Sequence, residues 1–133
     1  MGDAANGFSL YLKDGLPRFS VRSGGKLWEA VADEPVVVGQ WVHLAGGIDQ
    51  RGQLCLFVNG LPAASGPGAH LSDSPCKTFC VGADLGAAVG EYKAPMHWKG
   101  GLQDVRLYWG FLDHLRHREA WKEWSHRLRC CGG

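Results

Sequence analysis

The chain has 133 residues, of which 45% are apolar and 20% are charged, with a formal net charge of +1. This length suffices for one domain with its own core, and 20 glycines with 6 prolines favour many short strands over long helices. The balanced charge predicts no nucleic acid partner. The longest apolar run, Leu54–Val58, predicts no membrane insertion, and the charges spread over the first thirty residues predict no signal peptide in this chain.

Residues 8–32 are predicted to form three strands separated by turns. Residues 8–12 alternate, with Phe8, Leu10 and Leu12 on one face. After a turn at 13–15, residues 17–22 alternate again. The inward residues there are Phe19 and Val21, and the outward ones are Arg18, Ser20 and Arg22. A third strand covers 26–32, and Pro35 ends it.

A second group of three strands is predicted between residues 41 and 65. Residues 41–45 form the first of them, with Trp41 as a core anchor at its start, and 49–52 form a turn. Residues 53–58 return, and Asn59-Gly60 supplies the positive φ angles that a tight hairpin demands, so that 61–65 pairs back.

The rest of the chain gives weaker signals. A short strand is predicted over 78–83, a loop over 84–97 and a final long strand over 102–109. Leu112, Leu115, Trp121, Trp124 and Leu128 then fall near helical spacing, which predicts a short amphipathic helix whose tryptophans dock on the body. Because residues 112–133 carry five bases and three acids, we interpret 1–111 as the domain and 112–133 as a basic helical tail.

Three sequence blocks together resemble the laminin G-like domains, which belong to the concanavalin A-like lectin/glucanase jelly rolls. These blocks are residues 41–60 (Trp-Val-His-Leu-Ala to Val-Asn-Gly), 81–84 (Val-Gly-Ala-Asp) and 98–108 (Trp-Lys-Gly-Gly-Leu-Gln-Asp-Val-Arg-Leu-Tyr). The resemblance covers residues 8 to about 115 and implies an all-β, antiparallel two-sheet sandwich. Its motifs identify an architecture and carry no chemistry.

The resemblance departs from the family pattern at the N-terminus. Family members usually begin with several further strands before the segment that matches Phe8. We therefore expect either a fragment of a longer bacterial protein, extracellular or in the cell envelope, or a sheet edge covered by the tail or by a second copy in a homodimer.

The predicted function is a non-catalytic binding module for a carbohydrate or a protein surface. The paired-carboxylate strand of the glucanases is absent, because the acids at Glu29, Asp33 and Glu34 have a different spacing. A degenerate glycan-active enzyme and a self-assembling structural module remain as alternatives. His43 on its strand is interpreted as structural.

Two candidate sites accompany this prediction. The resemblance implies calcium at the sandwich rim, with Asp84, Asp104 and Glu91 as candidate ligands, against the alternative that Asp104 bonds a neighbouring loop. Because sugars stack on exposed aromatic rings, Trp28, Tyr92 and Trp98 are the candidate ligand-binding residues, with core packing as the alternative for each.

The five cysteines cannot all pair within one chain. Cys76 and Cys80 are close enough in sequence to bridge, and Cys55 is interpreted as a small buried apolar residue. Zinc is disfavoured because no pair of C-x2-C units is present.

Overall fold

The structure, a computed structural model, describes residues 5–71, 79–84, 88–93, 96–108, 110, 116 and 118–123. Two antiparallel sheets of three strands pack face to face, in the orders β1-β2-β3 and β4-β5-β6. A two-stranded ladder, β7-β8, and a helical segment at 118–123 follow. The strands are β1 (Gly7–Lys13), β2 (Leu16–Ser23), β3 (Lys26–Val31), β4 (Leu44–Ile48), β5 (Leu54–Val58), β6 (Leu61–Gly66), β7 (Ala83–Asp84) and β8 (Met96–His97). The predicted antiparallel β fold with one short helix is confirmed.

The core lies between the two sheets. Its buried members are Phe19, Val21, Ala30, Ala32, Leu54 and Leu56, with Phe8, Trp28 and Ile48 among the residues packed against it. Alternation along β2 and β5 places every second side chain on the inner face, which is why Phe19 and Val21 meet Leu54 and Leu56 there. The inward assignment of Phe19 and Val21 is confirmed.

One glycine allows the two sheets to approach. Gly46 lies opposite Leu56 in the β4–β5 ladder, on the inner face. A Cβ atom at Gly46 would lie within 3 Å of three ring atoms of Phe19, which belongs to the other sheet. The Phe19 ring therefore occupies the space that any larger residue at position 46 would need.

The second sheet follows the predicted pattern of turns. Asn59 and Gly60 have φ angles of 52° and 76°, which match the twist that a two-residue hairpin requires. Asp49 organises the preceding turn, because its carboxylate accepts hydrogen bonds from the backbone N–H groups of Arg51 and Gln53 at 2.8 Å each. The predicted hairpin and turn are confirmed.

The strand predicted from Trp41 begins three residues later than expected. β5 ends at Val58, where the hairpin turns, so Leu44 is the first β4 residue with a ladder partner. Trp41 consequently lies in the irregular segment before β4 and is 47% exposed. The interpretation of Trp41 as a core anchor is wrong.

Three predictions for the second half of the chain also need correction. Residues 79–82 are not in a strand, the predicted loop over 84–97 contains β8, and residues 102–108 form no strand.

The backbone at Asp104 accounts for the last of these differences. Asp104 has a φ angle of 58°, which interrupts an extended backbone. Its carboxylate instead accepts two hydrogen bonds from the Arg106 guanidinium, at 2.6 and 2.9 Å. An alternating pattern alone does not form a strand where no neighbouring edge pairs with it.

The outer face of the first sheet is covered by residues 88–93. Ser20 points outward as predicted, but it is fully buried beneath this segment, together with most of Tyr11. The Tyr11 hydroxyl accepts hydrogen bonds from the backbone N–H of Glu91 (2.9 Å) and from Ser20 Oγ (3.3 Å), and the Ser9 hydroxyl donates to the Val89 carbonyl. The outward polar residues therefore hold a loop in place rather than facing water.

The domain boundary at 111, the homodimer through a sheet edge and the absence of a nucleic acid partner stay predictions. Cys76, Cys130, Cys131, Trp109 and Trp124 lie outside the described residues. Within the described ranges, no helix combines the length and the apolar character needed to cross a membrane.

Candidate binding groove

An open groove of about 420 Å³ lies at one end of the sandwich, between the segment 32–42 and the β5–β6 hairpin. Its apolar walls come mainly from Ala32, Val36, Val58 and Ala63. Polar groups are supplied by Asp33, Glu34, Gln40 and Asn59, and the Trp41 indole completes the lining. Polar groups supply the larger share of its exposed lining, and its volume falls within the range of about 300–1,000 Å³ that is usual for small-ligand sites.

Backbone hydrogen bonds fix both walls of the groove. The N–H of Val36 donates to the Gly15 carbonyl at 2.9 Å, which ties the irregular segment to the β1–β2 hairpin. On the opposite wall, the Asn59 side-chain oxygen accepts from the His43 N–H at 3.0 Å, and the Asn59 N–H donates to the His43 carbonyl at 2.8 Å. The groove is therefore largely formed before any ligand arrives.

Two exposed tryptophans share a glycine loop beside the groove. A Cβ atom at Gly101 would lie 2.8 Å from the Trp41 ring, so this ring packs directly on the Gly101 backbone. The Trp98 indole N–H donates to the Gly101 carbonyl at 3.3 Å, and Trp98 is 40% exposed. The aromatic surface of the groove thus continues beyond Trp41 to Trp98, one of the residues that the sequence predicted for ligand binding.

His43 links the groove to the C-terminal helix. Its ring lies 6.4 Å from the Trp121 ring, centroid to centroid, and Arg118 in the same helix packs against Gly60 of the hairpin. The predicted docking of a helical tryptophan on the body agrees with this contact. Burial lowers the pKa of His43 below its ordinary value; Asp104 opposes this shift and Arg106 adds to it.

We expect the His43 environment to make the fold sensitive to mild acid. Because the pKa of His43 is lowered in the folded state, the unfolded chain takes up the proton first as the pH falls. Stability should be constant above the ordinary histidine pKa of about 6.5 and should decline as the pH drops below it. Thermal unfolding between about pH 5 and pH 8 measures the stability. In His43→Gln, the stability should fall less steeply as the pH drops. His97→Gln, at an exposed position, should keep the wild-type slope; an unchanged slope in His43→Gln would contradict the assignment.

The other two predicted ligand residues do not join this aromatic surface. Trp28 packs against the core from the inner face of the first sheet, and the Lys26 ammonium lies 4.0 Å from its ring centroid. Tyr92 lies against Tyr11, with ring centroids 4.7 Å apart, on the outer face of the same sheet. Because Trp28 and Tyr92 are on opposite faces, they cannot contact one ligand together.

The three candidate calcium ligands are engaged with other partners. Asp84 accepts a hydrogen bond from the Tyr92 hydroxyl, and this bond together with burial raises the pKa of Tyr92 to about 12. Asp104 is held by Arg106, and Glu91 lies 3.8 Å from the Lys13 ammonium. The described part of the chain contains no group of three acidic, histidine or cysteine side chains suited to a metal. Asp84, Glu91 and Asp104 are not brought together into such a group among the described residues, and calcium binding stays a prediction.

Sequence reasoning missed most of the groove. From the sequence, Asp33 and Glu34 are interpreted only as acids without the spacing of a catalytic pair, and Gln40 is not singled out. One signal was available: twelve residues, 32–43, connect β3 to β4 and include an aromatic ring, and long connections often carry function.

Comparison with known proteins agrees with this architecture. A laminin G-like family, described as part of the concanavalin A-like lectin/glucanases superfamily, matches residues 1–114. No curated protein and no solved structure matches the chain. Since the family match covers 114 of the 133 residues and the described strands form two packed antiparallel sheets, this chain belongs to the laminin G-like domains of the concanavalin A-like lectin/glucanase superfamily.

Proposed function

We propose that this chain is a non-catalytic module that binds carbohydrate in the groove lined by Trp41. The observation that carries the proposal is the exposed Trp41 ring at the wall of a preformed groove that also presents carboxylate and carboxamide groups. Sugar rings stack their C–H faces on such a ring while polar groups fix the hydroxyls. The superfamily, whose members are often binding modules, supports this reading. The natural setting we propose is an extracellular or cell-envelope protein.

A glycan-binding assay with the purified chain tests the proposal. Isothermal titration with oligosaccharides from a glycan array should show binding that Trp41→Ala abolishes and that Trp98→Ala weakens. We expect a loss of at least about fivefold in affinity for Trp41→Ala, since stacking against an aromatic ring contributes about 1 kcal/mol or more. Tyr108→Ala is the matched control, because Tyr108 is also exposed but does not line the groove.

Two outcomes would overturn the proposal. Binding that survives Trp41→Ala unchanged would place the ligand elsewhere, and binding to none of the glycans would remove the carbohydrate assignment. Release of reducing sugar from β-glucans, abolished by Glu34→Gln, would show an enzyme instead. We expect no such release, because the two acids of the groove are adjacent in sequence and lack the spacing of a catalytic pair.

A further inference from the structure

The charged residues of the groove are all of one sign. Among the described residues that line it, Asp33 and Glu34 carry negative charge, and none is a lysine, an arginine or a histidine. Two carboxylates in one concavity, with no cationic side chain among its described lining residues, give it a negative potential. A ligand that enters this groove therefore meets a negative field.

These two carboxylates differ from the paired acids of the domain. Glu29 has Arg18 as a partner at 3.3 Å, and Asp104 has Arg106 at 2.6 Å. In the described part of the chain, neither Asp33 nor Glu34 takes part in an ion pair or a side-chain hydrogen bond. Their charge is left to be compensated by solvent or by a ligand.

The aromatic wall of the groove also favours a positively charged ligand. The face of an indole ring attracts a cation through its quadrupole, and tryptophan is the best of the aromatic side chains in this respect. Trp41 lines the same groove as the two carboxylates. A positive group held there would gain from the ring and from the acids together, whereas a carboxylated or sulfated sugar would be repelled.

We infer that the groove selects a positively charged carbohydrate, namely an oligosaccharide of 2-amino sugars whose amines are not acylated. This inference rests on the proposed function and names the ligand class of the same site. N-acylation removes the charge of the amine while leaving the sugar ring able to stack. The groove therefore distinguishes the free-amine oligosaccharide from the N-acylated one by charge.

The test is isothermal titration of the full chain at about pH 6, where the amines are protonated. The probes are a glucosamine oligomer, its N-acetylated form and a neutral β-glucan oligomer of equal length. We expect the free amine to bind about tenfold more tightly than either neutral oligomer. Because exposed charges are screened by salt, the difference should shrink between about 50 and about 500 mM salt. The double variant Asp33→Asn/Glu34→Gln should lower the affinity for the free amine to that for the neutral oligomers, and Glu119→Gln, which removes an exposed acid outside the groove, should leave the preference unchanged.

The outcomes show whether the charge inference fails alone or together with the carbohydrate-binding function. Equal affinity for the three oligomers, or tighter binding of the acetylated one, would overturn the charge inference and leave the carbohydrate-binding function intact. Binding to none of the sugars would overturn both. A basic peptide serves as a fourth probe: if it alone binds, and the double variant loses this binding, both proposals are overturned and the groove is assigned to a protein partner.

Discussion

Gly46→Ala should lower the free energy of unfolding by about 1–3 kcal/mol, the range for inserting atoms into a packed core. The added methyl group would lie within 3 Å of the Phe19 ring, and these atoms are not the free end of a flexible chain. Phe19 is itself packed in the core between the sheets, so the ring has little room to move aside. Urea unfolding monitored by circular dichroism measures the change.

A matched glycine and a double variant test this explanation. Gly66 is also a strand residue, but a Cβ atom there would make only an ordinary contact, 3.5 Å from the Glu29 carbonyl oxygen. Gly66→Ala should therefore cost far less. In a Phe19→Leu background, which gives the methyl group space, Gly46→Ala should cost less than in the wild type. Additive losses in the double variant would show that the Phe19 contact is not the cause.

The sequence predicts those parts of this fold that depend on local signals. A two-residue hairpin requires positive φ angles at two successive residues, and Asn59-Gly60 adopts them readily, so this dipeptide predicts the hairpin between β5 and β6. The alternation in β2 likewise identifies Phe19 and Val21 as core residues. In both cases the residues that determine the local structure lie within a few positions of it in the sequence.

The features that sequence reasoning missed depend on contacts between distant residues. No local pattern places Phe19 against Gly46, because the two residues lie on different sheets. Trp41 lies before β4 because β5 turns at Asn59 and the β4–β5 ladder begins only at Leu44, a consequence of the register. The groove could not be predicted for the same reason, since its walls come from two separate parts of the chain.

Gly60→Ala should release the C-terminal helix from the hairpin. A Cβ atom at Gly60 would lie within 3 Å of the Cα and the backbone nitrogen of Arg118, and helical backbone cannot move aside as a side chain can. We expect trypsin to cut at Arg118 and Lys122 at least tenfold faster in this variant, because local release exposes the peptide bonds to the protease. Mass spectrometry of timed digests measures the rates.

Gly25→Ala separates displacement of the helix from backbone strain. Gly25 has a φ angle of 82°, close to the 76° of Gly60, but an added Cβ atom at Gly25 would meet nothing within 4 Å. Both variants incur the cost of a left-handed alanine, about 1–2 kcal/mol, and only Gly60→Ala should also expose the helix. Because Asn59 lines the groove and is bonded to His43, which faces Trp121, release of the helix should also weaken ligand binding in the groove. Equal digestion rates for the two variants would show that the hairpin does not hold the helix.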